Sequence, residues 1–403
     1  MNSFVRSREK GAITAADLSQ VVTTRVLGSL ALAETRRMAR AHTAPVRSLS
    51  IDAVQSRFML SAGTDMSIQL FDLDTSEEAA GRSRQIAPLS HVAAGTGHTR
   101  LVSCVEWYPV DSGMFSTSSF DHTLRVWDTE TMTEACQFGL ESRIRCHRMS
   151  PTGAHALIAA ANESAYIRLC DLRTAASAHQ LFAHQGGGTA VAWSPHQPHT
   201  LATGGADGML RLWDIRKASS CVAEFSQAPQ SVQKAAGVAG LETETAHRGS
   251  IKSIQFSKLA NVIVSSGSDK RARVWRADTG TDNIASALLA EFPVGATHST
   301  EEGTVEPAIT SADDGTAKSE ILFYPNADRT ISAFELTTGR CIAVLHGHFA
   351  PVACIAWRSR HMEMYSGGAD CNILVWCPPA AEQLSDKQGA ARADRWSDSS
   401  GGE

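Results

Sequence analysis

HQGGGTAVAWSPHQPHTLATGGADGMLRLWDIR, residues His184–Arg216, holds three short apolar runs separated by turns. AVAW and LATG alternate as strands, GGAD is a tight turn, and MLRLWD is a third strand. Its polar landmarks are His184, Trp193, Thr203, Asp207 and the pair Trp213–Asp214. The set recurs as His98, Trp107, Thr117, Asp121, Trp127 and as His348, Trp357, Ser366, Asp370, Trp376. Two further copies read His42, Ile51, Ser61, Asp65, Phe71 and His247, Phe256, Ser265, Asp269, Trp275. His and Asp stand 23 residues apart in three copies and 22 in two, and the closing aromatic follows the Asp by 6 in all five. A fixed period of this kind marks a repeat architecture.

The spacing has a physical cause. A half-buried Asp or His is costly unless paired, so each repeat must satisfy its own. The turn Asp accepts a hydrogen bond from the His, while the Ser or Thr and the Trp indole N–H extend the chain of bonds. Losing one member costs about 1–3 kcal/mol. With these residues in view the units resemble WD repeats, which implies an all-β fold, a β-propeller of four-stranded blades. His, Asp and Ser recurring five times then form a structural staple and not a hydrolase triad.

The composition sets limits. A chain of 403 residues, 43% of them apolar, can bury a large core. Its formal net charge of −5 argues against a polyanion binder. Nine cysteines are scattered without a C-x-x-C pair. With MNSFVRSREKG showing no secretory leader, they read as reduced thiols of an intracellular protein. No run approaches the roughly 20 apolar residues of a membrane span, so no membrane partner is expected.

Closing positions fall at Phe71, Trp127, Cys170, Trp213, Trp275, Phe334 and Trp376, which predicts seven blades over residues 26–379. After Trp376 the chain runs into Cys377-Pro378-Pro379 and a polar tail, so the last blade lacks a fourth strand. The segment between Val26 and Met38 is expected to supply it and close the ring. Before it, residues 1–25 read as a short helical extension: Thr14 to Asp17 makes a capping-box-like start, and Leu18, Val21 and Val22 form one apolar stripe. The third repeat has no His-Asp-Trp set, and the sixth keeps only Asp328 and Phe334. Inserts at Ser76–Gly97, Ser226–Ala246 and about Gly295–Lys318 read as surface loops. Residues 380–403 read as a disordered tail, in which Trp396 stands alone, either a docking residue or a residue without a role.

Sequences that would carry catalysis are missing: there is no G-x-x-x-x-G-K-[ST], no H-E-x-x-H and no G-x-S-x-G. No catalytic residue, cofactor or metal site is expected, and the chain reads as a binding scaffold. Trp213, Asp214, Ile215 and Arg216 spell WDxR, echoed at Asp171–Arg173. An Arg here resembles the mark of propellers that dock on damaged-DNA-binding protein 1, the adaptor of cullin-RING ubiquitin ligases. The planar Arg fork suits a desolvated interface. Third strands finish on the narrow face of the ring and fourth strands start there, so Arg216 and the N-terminal stripe are expected on one side.

The likeness reaches further. RFMLSAGTD, VEWYPVDSGMFSTSSFDHTLRVWDT, WDIRKASSC, MYSGGADCNILVW and RWSDSS resemble the Cockayne syndrome group A family of WD-repeat proteins. That resemblance implies a nuclear substrate receptor of the adaptor–cullin ligase in transcription-coupled nucleotide excision repair. The partners it implies are a repair translocase of the Cockayne syndrome group B type and stalled RNA polymerase II, with direct DNA contact secondary. Substrates are expected on the face opposite Arg216. The alternative is a WD-repeat scaffold for histones or chromatin complexes, without a ligase.

Overall fold

The computed structural model describes residues 26–75, 77–78, 84–217, 221–227, 245–259, 261–277, 288–295, 304–310 and 320–379. They form a ring of seven four-stranded antiparallel sheets. Strands a to d of a blade are sequential neighbours; in blade 4 they are Gly188–Trp193, Thr200–Gly205, Leu210–Asp214 and Cys221–Phe225. Adjacent blades touch chiefly through their a strands, which therefore line the central channel. The alternation seen in AVAW and LATG has become strands buried on both faces, because each blade is covered by one neighbour on each side.

Seven apolar clusters hold the ring together, one in each gap between blades. The gap between blades 4 and 5, for example, buries Leu212, Phe225, Ile254 and Trp275. The other gaps repeat this plan.

Closure runs as the sequence predicts. Ala31–Leu32 pairs antiparallel with strand c of blade 7, Ala31 opposite Cys377 and Leu32 opposite Trp376. The Ala33 N–H then donates to the Val375 carbonyl at 2.9 Å. Just upstream, Leu27 and Leu30 are buried in the gap between blades 6 and 7. Arg358, 1% exposed, locks the seam between blades 7 and 1: it donates to the Ser56 carbonyl at 2.6 Å, to Glu363 at 3.1 Å, and to Asp74. Arg36, from the closing segment, also pairs with Glu363 and donates to the Leu73 carbonyl at 2.8 Å.

Two of the expected surface loops carry strands. Within Ser76–Gly97, Pro88–Val92 is strand d of blade 1, and Arg84–Ile86 pairs in parallel with Arg36–Met38. A parallel partner so far away in sequence leaves no local turn signal. Within Gly295–Lys318, Ala308–Ile309 is strand a of blade 6. At two residues it is too short to show alternation. Residues 228–244, most of the remaining insert, lie outside the described residues, as do residues 1–25 and 380–403.

Candidate functional site

Each complete repeat folds into one relay. In blade 4 the Trp213 indole donates to Thr203 Oγ1 at 2.9 Å, the Thr203 hydroxyl meets His184 Nε2 at 2.9 Å, and His184 Nδ1 meets Asp207 at 3.0 Å. Blade 2 repeats this through Trp127, Thr117, His98 and Asp121 at 2.8, 2.7 and 2.9 Å. In blade 5 Trp275, Ser265, His247 and Asp269 do so at 2.8, 2.7 and 3.0 Å. In blade 7 Trp376, Ser366, His348 and Asp370 stand at 2.8, 2.8 and 2.9 Å. Blade 1 keeps His42, Ser61 and Asp65, while Phe71 has no donor. Burial alone would raise the Asp carboxyls, but hydrogen bonds from the His and from neighbouring hydroxyl and backbone groups outweigh it and hold Asp65, Asp121 and Asp269 well below the usual range. Every member is engaged inside its blade, so these residues build the fold and leave no free nucleophile.

The two degenerate blades use other ties. In blade 3 the buried His147 reaches into blade 2, with Nε2 at 2.7 Å from Ser116 Oγ and Nδ1 at 2.9 Å from Ser118 Oγ. In blade 6 the Asn326 amide donates to Thr330 and Ser332 at 3.0 and 2.8 Å. Neither tie follows the repeat spacing, so sequence period gave no handle on them.

Function therefore has to be sought on the faces. One face carries the a–b and c–d loops, and Arg216 follows strand c of blade 4 there. Its side chain is 67% exposed, yet its fork is held by Asp214, Nε at 3.0 Å and Nη2 at 2.8 Å, with its backbone N–H on the same carboxylate at 3.1 Å. That hydrogen bonding brings the Asp214 carboxyl down to about 2. Trp213, by contrast, is buried in the blade relay and presents nothing to a partner. Arg173 in blade 3 repeats the turn more loosely, at 3.5 Å from Asp171 and 74% exposed. The described chain enters the ring on this face, since Ala31 pairs with the end of strand c. Blades 5 and 6 lie between Arg216 and that entry. Leu18, Val21 and Val22 fall outside the described residues. Of the ten large apolar side chains left exposed among the described residues, six are on this face: Leu32, Val54, Leu89, Val110, Leu259 and Leu289. The opposite face, with the d–a and b–c loops, has Tyr166, Phe182 and Phe349.

The channel holds a cluster that the sequence did not reveal. Glu306, from the irregular segment before blade 6, hydrogen-bonds through its backbone to blade 7 and extends its carboxylate to Arg148 of blade 3 at 3.0 Å. Arg148 also contacts Cys104 Sγ at 2.6 Å, and Glu106 accepts the Met149 N–H at 2.7 Å. Burial pushes the Glu106 carboxyl up to about 7 and that of Glu306 up to about 8. A cavity of about 280 Å³ reaches this cluster from the Arg216 face. The short strand a of blade 6 leaves a further mark. Trp107 and Trp193 donate their indoles to the preceding blade, at Ser50 O and Arg148 O, but the Trp357 indole N–H has no acceptor and its ring stacks on Phe323. Among the described residues no set of His, Cys, Asp or Glu side chains has metal-holding geometry.

Comparison with known proteins agrees with the geometry. Residues 90–128, 176–214, 241–276 and 339–377 match the family described as WD domain, G-beta repeat. The chain is 28% identical to the WD repeat-containing protein ATCSA-1 of Arabidopsis thaliana, an alignment covering 98% of this chain and 99% of that protein. Shorter likenesses run to the ribosome biogenesis protein ytm1 of Pyrenophora tritici-repentis, 28% identical over 59% of this chain and 56% of that protein. The ribosome biogenesis protein WDR12 homolog of Chlamydomonas reinhardtii is 35% identical over 30% of this chain and 28% of its own length. Five intact His–Asp staples, seven apolar gaps and a borrowed closing strand make this chain a seven-bladed β-propeller, with four stretches that match the WD repeat.

Proposed function

We propose that this propeller is the substrate-recognition subunit of a cullin-RING ubiquitin ligase acting in transcription-coupled nucleotide excision repair in the nucleus. The observation that carries the proposal is end-to-end similarity to a protein whose name contains CSA, matching Cockayne syndrome group A, over 98% of this chain. Arg216 adds a physical reason. A guanidinium pre-set by its own Asp214 gives up little side-chain freedom when an adaptor binds. Leu259 and Leu289, exposed on the same face in the adjoining blade, offer the desolvation that an adaptor such as damaged-DNA-binding protein 1 would need. The opposite face is then left for substrates, for a repair translocase of the Cockayne syndrome group B type, and for stalled RNA polymerase II. The subunit contributes no catalytic group; it holds substrate lysines at high effective concentration near the ligase.

The alternative is a WD-repeat scaffold without a ligase, serving histones or chromatin complexes. The shorter similarities to proteins named for ribosome biogenesis support a scaffold in general and no particular complex. Affinity purification of the full chain from nuclear extract, followed by mass spectrometry, separates the two. The ligase role requires the adaptor and a cullin in the eluate; chromatin or ribosome-assembly proteins without them would overturn it.

A further inference from the structure

An apolar groove of about 390 Å³ opens between blades 1 and 2 on the Arg216 face. Phe58, Leu70 and Leu89 of blade 1 line one wall, and Ser112, Thr129 and Glu130 of blade 2 line the other. Leu89 is 62% exposed, and Val110, in the same loop as Ser112, is 53% exposed. An open apolar wall costs the uncovered protein free energy. A large aromatic side chain covers it.

We infer that this groove receives the indole of Trp396, carried by the chain's own C-terminal segment. Strand c of blade 7 ends at Cys377, and the described chain leaves the ring at Pro379 on the face where the groove opens. Blade 7 is the neighbour of blade 1. Trp396 lies 17 residues beyond Pro379, a reach of about 55 Å when extended, whereas a four-stranded blade is about 15 Å across. Length is no obstacle, and chemistry selects the residue. Trp396 is the one aromatic in 380–403. Its fused rings supply the large apolar face that the wall of Phe58, Leu70 and Leu89 lacks. Arg395 beside it is the complement of Glu130, exposed at the rim. Asp394 and Asp398 flank the pair. They add to the carboxylate of Asp72, which already holds Arg57; that guanidinium is 44% exposed in its side chain and lies over the Phe58 ring at 5.1 Å.

The test uses the full chain labelled with 5-fluorotryptophan and read by fluorine NMR, Trp396→Phe assigning the resonance. Trp396 should resonate away from the position it takes in an isolated peptide of residues 388–403. Leu89→Glu, at an exposed position, should return it to the peptide position. Leu289→Glu, on the same face but in blade 5, should leave it unmoved. Hydrogen exchange gives a second reading: amides at Leu89–Ser90 and Thr129–Glu130 should exchange at least about threefold faster in Trp396→Ala. A wild-type resonance at the peptide position, or one indifferent to Leu89→Glu, overturns the inference. Exchange unchanged in Trp396→Ala also overturns it, and would leave the groove to an aromatic side chain of a partner.

Discussion

Replacing Thr203 with Val tests how the staple works. The side chain is fully buried, and its oxygen serves two groups at once, accepting from the Trp213 indole and bonding His184 Nε2, each at 2.9 Å. Val keeps the shape and leaves two buried polar atoms unpaired. At about 1–3 kcal/mol for each orphaned group, the loss should be about 2–6 kcal/mol. Trp213→Phe removes a donor and orphans nothing fully, because Thr203 retains His184; blade 1 lives with the same arrangement, keeping His42 on Ser61 at 2.7 Å opposite Phe71. In the double variant only His184 Nε2 is left unpaired, since Nδ1 keeps Asp207. Its cost should therefore fall below the sum of the two single costs by about 1–2 kcal/mol. Urea unfolding followed by circular dichroism on the four proteins gives the coupling. Additive losses, or a Thr203→Val cost under about 1 kcal/mol, would refute the relay as the source of blade stability.

Three further outcomes follow from the geometry. Glu306→Ala removes the acceptor of the Arg148 guanidinium in the channel and should cost about 1–3 kcal/mol, whereas Glu306→Leu combined with Arg148→Met should recover most of it; thermal melts of the three proteins decide. Acid should unfold the ring through its Asp carboxyls. Asp65, Asp121 and Asp269 have folded values depressed below their unfolded ones, so their stabilisation is whole above the ordinary carboxylate range and is lost as pH falls through the folded values. Melting midpoints measured between pH 7 and about pH 2 should hold, then drop below about pH 4, and Asp121→Asn should flatten the drop. Deleting residues 1–33 removes the strand opposite Trp376 and Cys377 and should lower the melting midpoint, while deleting 1–22 should leave it unchanged; equal midpoints would contradict closure by Ala31–Leu32.

The repeat was legible because its signal is local: His, Asp and the closing aromatic keep their spacing whatever the rest of the blade does. Closure was legible from counting, since a seventh blade without a fourth strand must borrow one. Arg216 stood out because it follows Trp213–Asp214 directly, and the structure adds that its exposed fork is held by Asp214. The parallel pairing of Arg84–Ile86 with Arg36–Met38 was not legible, since neither segment alternates and no turn joins them. Glu306 escaped for a similar reason. It lies in an insert rich in small and polar residues, and its partner Arg148 is 158 residues away. Strand a of blade 6, the defect that orphans Trp357, was hidden by its length of two residues.

The ligase role rests on one contact that can be measured directly: titration of damaged-DNA-binding protein 1 against the wild type, Arg216→Ala and a protein lacking residues 1–22, with circular dichroism to verify the fold. Arg216→Ala should fold normally, because the residue lies past the strand and is largely exposed. It should weaken binding about tenfold or more if the guanidinium is a desolvated anchor. The truncation, which removes Leu18, Val21 and Val22 but keeps the closing strand, should weaken binding further. Unchanged affinity in both folded variants would contradict the ligase role and leave a WD-repeat scaffold in its place.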